Sequence, residues 1–217
     1  MRTVYGANAS PFVRKVRVFL AEKGLPYHLE PVFPFNPTPE FKQMSPLGKI
    51  PAYQEGDVVL SDSSVICAYL ERTNPQPPLY PADPYEYARA LWFEEYGDGG
   101  LVNVLTVKIF RQKIVLPMFF EQPTAEAVVQ KAIAEELPPM CDYLESQLKE
   151  GSTTLVGNRF SIGDIGVVTQ FVNLRHGGVG VDAKRWPKLA RYIASVYARP
   201  SFQAVIAEEE AAFKAAA

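Results

Sequence analysis

The chain has 217 residues, 47% of them hydrophobic, and a formal net charge of -2 from 22 Lys plus Arg against 24 Asp plus Glu. That length holds one large domain or two small ones with material for a packed core. The near-neutral charge supplies no attraction to nucleic acid or to an anionic membrane, so the expected partner is a small molecule or a protein.

Residues 1–5 run directly into a strand-like pattern without an apolar signal segment, and no later run has the roughly 18 uninterrupted apolar residues of a membrane span. A soluble, cytoplasmic protein is expected. Cys67 and Cys141 lie far apart and form no CxxC pair, which reads as two buried packing thiols rather than a disulfide framework or a dithiol centre.

Taken in chain order, Arg2–Tyr5 reads as a short strand. Phe12, Val13, Val16, Phe19 and Leu20 then recur at helical spacing until Gly24 stops the helix at Lys23. Residues 27–32 form a second strand candidate and Pro39–Met44 a short helix. Ala52-Tyr53 and residues 58–60 flank Gly56-Asp57, a favoured hairpin pair. From Asp62, apolar Val65, Ile66, Tyr69 and Leu70 return to helical spacing, giving the order β-α-β-α-β-β-α.

Residues 74–84 hold five prolines in eleven positions, a composition that forbids regular helix and favours a stiff connection. The boundary falls there: a first domain over 1–78, a linker over 79–87 and a helical domain over 88–217. The expected helices run from about 85–120, 124–149, 162–175 and 187–198, with a short last helix from Ser201 and a frayed Ala/Glu tail. Pro117 is expected to end or bend the first of these, and Pro138-Pro139 to kink or split the second.

Four short stretches stand out, three of them with candidate chemistry. Ser10-Pro11 opens the first helix, and Ser10 reads either as its N-cap or as a catalytic hydroxyl. In Gly48-Lys49-Ile50-Pro51, the X-Pro bond costs only about 0.5–1 kcal/mol to hold cis. Such a bond turns the backbone N–H and C=O of Ile50 towards a ligand's main chain. An ordinary trans proline opening an edge strand is the alternative. Asp62 and Ser63 stand before a helix, where the first amides and the dipole attract a carboxylate and an acid pairs with an ammonium; plain N-capping is the other reading. Phe160-Ser161-Ile162-Gly163-Asp164 has the form of a capping box, with Asp164 in place of Glu and no catalytic role.

Together these stretches, in this order, resemble the cytosolic glutathione S-transferase family, of the bacterial type with a Ser-Pro-Phe active site. The likeness also includes Arg-Trp-Pro-x-Leu and Ala-Arg-Pro-Ser-Phe near the end, and spans essentially the whole chain. The resemblance implies an α/β thioredoxin-like N-terminal domain that binds glutathione and an all-α C-terminal domain that walls the pocket of a hydrophobic electrophile. It further implies a homodimer, with glutathione as co-substrate and no metal. Carried onto this sequence, it makes Ile50 the backbone partner of the cysteinyl unit, with Pro51 cis. Asp62 and Ser63 would hold the γ-glutamyl end and Lys49 the glycyl carboxylate. Asp62 stands where Glu is usual, a shorter arm with the same charge.

The reaction implied is conjugation, as in detoxification, and its nucleophile is a thiolate. A free thiol of pKa about 8.5 is only about 3% ionised at pH 7. Ser10 is the expected donor to that thiolate, ahead of Tyr5 at the end of the first strand. No cysteine occurs before Cys67 to support mixed-disulfide chemistry. Arg14 either adds positive potential or forms a salt bridge. Phe12, Phe35, Tyr96 and Arg111 are the electrophile-pocket candidates, with Trp92 and Val107 on the same helix. A glutathione-dependent isomerase of the maleylacetoacetate type is the alternative enzyme, though it would carry a Ser-Ser-Cys-Ser-like run. A non-catalytic interaction or stress protein on this fold is the alternative of another class.

Overall fold

The computed structural model describes residues 1–216 as backbone and 1–215 as side chains, so the end of the expected helical domain at Ala217 lies outside the described residues. The chain forms two compact units, Met1–Leu79 and Tyr80–Ala217.

The first unit runs β1 (Arg2–Tyr5), α1 (Pro11–Glu22), β2 (His28–Glu30), α2 (Pro39–Met44), β3 (Ala52–Glu55), β4 (Val58–Ser61) and α3 (Ser63–Thr73). The sheet order is β2-β1-β3-β4, with β1 and β2 parallel and the other two pairings antiparallel. A parallel neighbour requires a crossover, and α1 supplies it. β3 and β4 need none, because Glu55 pairs with Val58 across Gly56-Asp57, with Gly56 at φ 60°. β2 is shorter than the expected 27–32.

Val13, Val16, Phe19 and Leu20 of α1 are buried with Val4, Tyr53, Ile66 and Leu70. Arg14, Lys15 and Arg17 are buried too, so α1 is enclosed on faces that its charges mark as solvated. At its C-terminal end, buried Lys23 donates to the carbonyls of Asn74 and Pro77 at 2.8 and 2.7 Å and pairs with Glu71 at 2.5 Å. One ammonium thus ties α1, α3 and the start of the proline-rich segment together, all three of its donors being used.

The second unit is helical throughout: α4 (Pro84–Glu95), a continuing segment Tyr96–Val115, α5 (Leu116–Phe120), α6 (Glu126–Lys131), a segment Ala132–Glu136, α7 (Leu137–Gln147), α8 (Ile162–His176), α9 (Pro187–Tyr197) and α10 (Pro200–Ala216). The two unlabelled segments are wound wide: the Leu116 amide donates to Arg111 and the Leu137 amide to Ala132, each five residues back. Both wide segments lead into prolines, Pro117 and Pro138-Pro139. Proline has no N–H for the usual bond and its ring crowds the preceding turn, and a widened turn meets both constraints without breaking the helix.

The last helix is not short. α10 continues to Ala216 because Phe202, Val205, Ile206 and Glu209 are buried along it, with Glu209 paired to His176 of α8 at 2.8 Å. Helical spacing of that buried set holds what the Ala/Glu composition read as a frayed tail.

α8 is buried from Ile162 to Leu174 and is the centre of this unit. It approaches its neighbours through glycine. A Cβ on Gly97 would lie 2.4 Å from the Gly166 carbonyl oxygen, and one on Gly166 would lie 2.9 Å from the Glu94 Cα. Backbone faces backbone there, so nothing flexible can move aside. Gly97→Ala is therefore expected to cost about 1–3 kcal/mol. Gly180→Ala, with nothing near its Cβ, should stay within about 0.5 kcal/mol. Denaturant unfolding of the two variants checks the difference.

Candidate glutathione site

Strand register gathers the candidate residues of the first unit at one end of its sheet. Tyr5 pairs with Ala52, and Ala52 with Ser61. The loop after β1 that carries Ser10, the Ile50-Pro51 pair before β3 and Asp62-Ser63 after β4 therefore leave the sheet on the same side. Gly6 seats the first of these: a Cβ there would meet Val13 Cγ2 at 2.4 Å and Ile50 Cβ at 3.4 Å. Lys15 Nζ donates to Ser64 Oγ at 2.9 Å, joining α1 to the first turn of α3.

Ser10 is the N-cap of α1, with extended backbone and Pro11 in the first turn, where a missing N–H costs nothing. Its Oγ accepts from the Val13 amide at 3.4 Å, a long bond. That bond uses a lone pair and leaves the O–H to donate, so capping and donation to a ligand are compatible. Tyr5, the competing hydroxyl, donates to Gln54 Oε1 at 3.0 Å. Arg14 is buried, with Nη2 3.5 Å from the Ala9 carbonyl, so it is not a surface residue.

The Ile50-Pro51 bond is cis. Because the β1–β3 ladder ends at Ala52, the amide and carbonyl of Ile50 lie beyond it. Gly48, at φ 64°, turns the chain into this pair, and Ser45 Oγ holds the Lys49 carbonyl at 2.6 Å; Lys49 itself is exposed.

Asp62 has φ 80° and ψ 130°, a region that non-glycine residues rarely occupy. Its Oδ1 accepts from the Ser64 and Val65 amides at 2.9 and 3.1 Å, which offsets part of that strain. The helix begins at Ser63 with Asp62 as cap, so two first-turn amides are already satisfied. Asp62 is exposed and Ser63 buried.

The electrophile-pocket candidates divide between the units. Phe12 is half-buried in α1, and Phe35 is exposed on the loop before α2, its ring edge-on to Phe33 at 5.2 Å. In the second unit, Tyr96 lies among Trp92 and Tyr143, at 5.9 and 4.9 Å. Burial pushes its hydroxyl up to about 12, so it is a neutral hydrogen-bond donor at pH 7. Arg111 is half-buried, and its carbonyl accepts from the Leu116 amide. Val107 and Trp92 are exposed, with Trp92 Nε1 2.5 Å from the Tyr143 hydroxyl. Both cysteines are buried and unbridged, and burial raises the Cys141 thiol to about 12, far from a reactive thiolate.

Among the described residues no cluster of His, Cys, Asp and Glu is arranged to hold a metal, and no helix is long and apolar enough to cross a membrane. Residues missed by sequence reasoning are Asn8, Lys15, Arg17 and Tyr27, which brace the loop and helix around Ser10. The signal for two of them, Lys15 and Arg17, was present as charge inside an apolar helical pattern.

A four-stranded mixed sheet in this element order is a thioredoxin-like domain, and with an all-helical unit after it the architecture is the glutathione transferase fold. Residues 4–78 match the N-terminal domain of glutathione S-transferase and residues 110–209 its C-terminal domain, and the chain belongs to the glutathione S-transferase family. The Escherichia coli protein YibF, described as an uncharacterized GST-like protein, is 30% identical over 205 residues, covering 91% of this chain and 94% of that one. A glutathione S-transferase structure from Rhodospirillum rubrum superposes with TM-score 0.87 at 25% identity, covering 94% and 91% of the two chains. One from Methylobacterium radiotolerans, in complex with glutathione sulfonate, has TM-score 0.76 at 29% identity over 94% of each chain.

Proposed function

We propose that this protein binds glutathione and adds its thiolate to hydrophobic electrophiles, with Ser10 as the donor that stabilises the thiolate. The observation that carries this reading is the state of Ser10: a cap bonded through a lone pair, with its O–H left to give, at the positive end of α1. The family membership and the glutathione sulfonate bound by the Methylobacterium radiotolerans relative support the choice of ligand.

In this reading the γ-glutamyl carboxylate meets Ser63 and the start of α3, and the ammonium meets Asp62. The cysteinyl main chain pairs with Ile50 before Pro51, and the glycyl carboxylate meets Lys49. The thiol proton passes to solvent, the sulfur forms a bond to the electrophilic carbon, and the leaving group departs with its electron pair. Phe12 and Phe35 are the proposed apolar contacts of the electrophile from this unit. The strained backbone at Asp62 supports a binding role there, since such conformations gather at ligand sites. Exposed Tyr85, Tyr87 and Val107 accord with a homodimer.

Retention on immobilised glutathione and turnover of a chlorinated aromatic acceptor test the reading. Failure to bind glutathione would favour the non-catalytic alternative, and binding with isomerisation of a cis-dienoic diketo acid instead of conjugation would favour the isomerase. Asp62 separates charge from capping. Asp62→Asn keeps the oxygen that caps α3, so stability should hardly change, while loss of the carboxylate raises the glutathione KM by about 10-fold. Asp62→Ala should raise KM similarly and cost about 1 kcal/mol of stability as well.

A further inference from the structure

The two residues before Ser10 are each held by an arginine of α1. Asn8 Oδ1 accepts from Arg17 Nη1, and the Ala9 carbonyl accepts from Arg14 Nη2. Arg17 is buried, and its Nε donates to the Tyr27 hydroxyl at 2.8 Å. Its guanidinium carbon also lies 5.9 Å from the centre of the Tyr27 ring. The guanidinium is a planar fork, so fixing Nε on Tyr27 fixes where Nη1 must point. Asn8 ordinarily serves a turn by bonding its own backbone; here its oxygen takes a charge-assisted bond instead.

The loop needs such a hold. Ser10 donates its amide to the Ala7 carbonyl at 3.1 Å, closing a turn over residues 7–10, but its side-chain bond to Val13 is 3.4 Å long. A cap that loose does not by itself set where the hydroxyl points. We propose that Arg17, acting through Asn8, is a positioning residue that locks the loop after β1 and so aims the Ser10 hydroxyl at the sulfur of the bound thiol. This rests on the glutathione reading above. Arg17 touches no substrate in this scheme, and its effect passes entirely through the loop.

The test uses Asn8→Ala, with Asn8→Asp as the conservative variant that keeps an acceptor for Arg17. Three quantities are read: ultraviolet titration of the bound glutathione thiol, glutathione KM, and hydrogen exchange of the Ala9 and Ser10 amides. Asn8→Ala should speed exchange in the loop and lower the thiolate fraction at pH 7 by about 3–10-fold, with KM within about twofold of wild type. Asn8→Asp should restore the titration. In a Ser10→Ala background Asn8→Ala should have no further effect on it, because the two act in series.

Faster exchange with an unmoved titration, or a shift that persists without the Ser10 hydroxyl, overturns the positioning role. A wild type with no thiolate signal overturns the glutathione reading and the aim with it. Loop exchange in Asn8→Ala equal to that of wild type overturns the clamp whether or not glutathione binds.

Discussion

Ser10→Ala is expected to move the pKa of the bound thiol most of the way back towards that of a free one, about 8.5, and to lower turnover at pH 7 by roughly 10-fold. The loss has one physical source. Lowering a thiol's pKa from about 8.5 to about 6.5 stabilises the thiolate by about 2.7 kcal/mol, and in the proposed reading a hydroxyl donor and the α1 N-terminus share that work. Removing the hydroxyl leaves the dipole, so the loss is incomplete. Glutathione affinity should change little, since Lys49, Ile50, Asp62 and Ser63 remain. Turnover of the variant should recover as pH is raised towards 9, because the thiol then ionises unaided. Steady-state kinetics against pH give the answer: turnover unchanged at every pH would remove Ser10 from the chemistry and promote Tyr5, which in this structure donates to Gln54. The side-chain cap of α1 is lost as well, at a cost of about 1 kcal/mol.

Asp164→Asn should be the costliest single change to the second unit. The carboxylate is fully buried and takes four hydrogen bonds: the Leu155 and Ser161 amides and the Tyr192 hydroxyl, each at 2.8 Å, and the Ser161 hydroxyl at 3.1 Å. An amide offers one oxygen where the site presents donors to both, so its NH₂ faces N–H and O–H groups. The expected loss at pH 7 is about 2–4 kcal/mol, read as a fall in Tm of about 5–15 °C.

The pH dependence has a definite sign. Burial pushes the Asp164 carboxyl up to about 6 from an ordinary 3.8, against the pull of its hydrogen bonds. Between those two values the native state holds a proton that the unfolded chain has lost. The stability this adds is therefore full below about pH 4 and gone once the pH has risen through 6, with a total of about 3 kcal/mol. Asp164→Asn should flatten that descent between pH 4 and 6. An unaltered slope in the variant would mean that another group titrates there.

The capping box itself was legible, because Ser161 and Asp164 lie three residues apart in one helical turn. The Tyr192 bond to the same carboxylate was not, since 28 residues and a second helix separate the two. The same division holds at the candidate glutathione site. Ser10-Pro11, Ile50-Pro51 and Asp62-Ser63 announce themselves by local chemistry, and their placement around strands in order permits a common site. Arg14, Lys15 and Arg17 carry charge that on an isolated helix marks a solvated face, and all three are buried. Lys15 bonds Ser64, 49 residues away, while Arg14 and Arg17 bond Ala9, Asn8 and Tyr27 in the segments on either side of α1. The candidate site was thus half written in short motifs and half in hydrogen bonds that only the folded chain closes.

Element order, the hairpin at Gly56-Asp57 and the family were all available from the chain alone, because turn chemistry and hydrophobic period act over a few residues. The alignment of three loops at one sheet end, the bonds of Arg17 to Asn8 and Tyr27, and the full length of α10 required the folded chain. Strand register and burial are properties of pairs distant in sequence, and a charged residue becomes structural only when its partner's position is known.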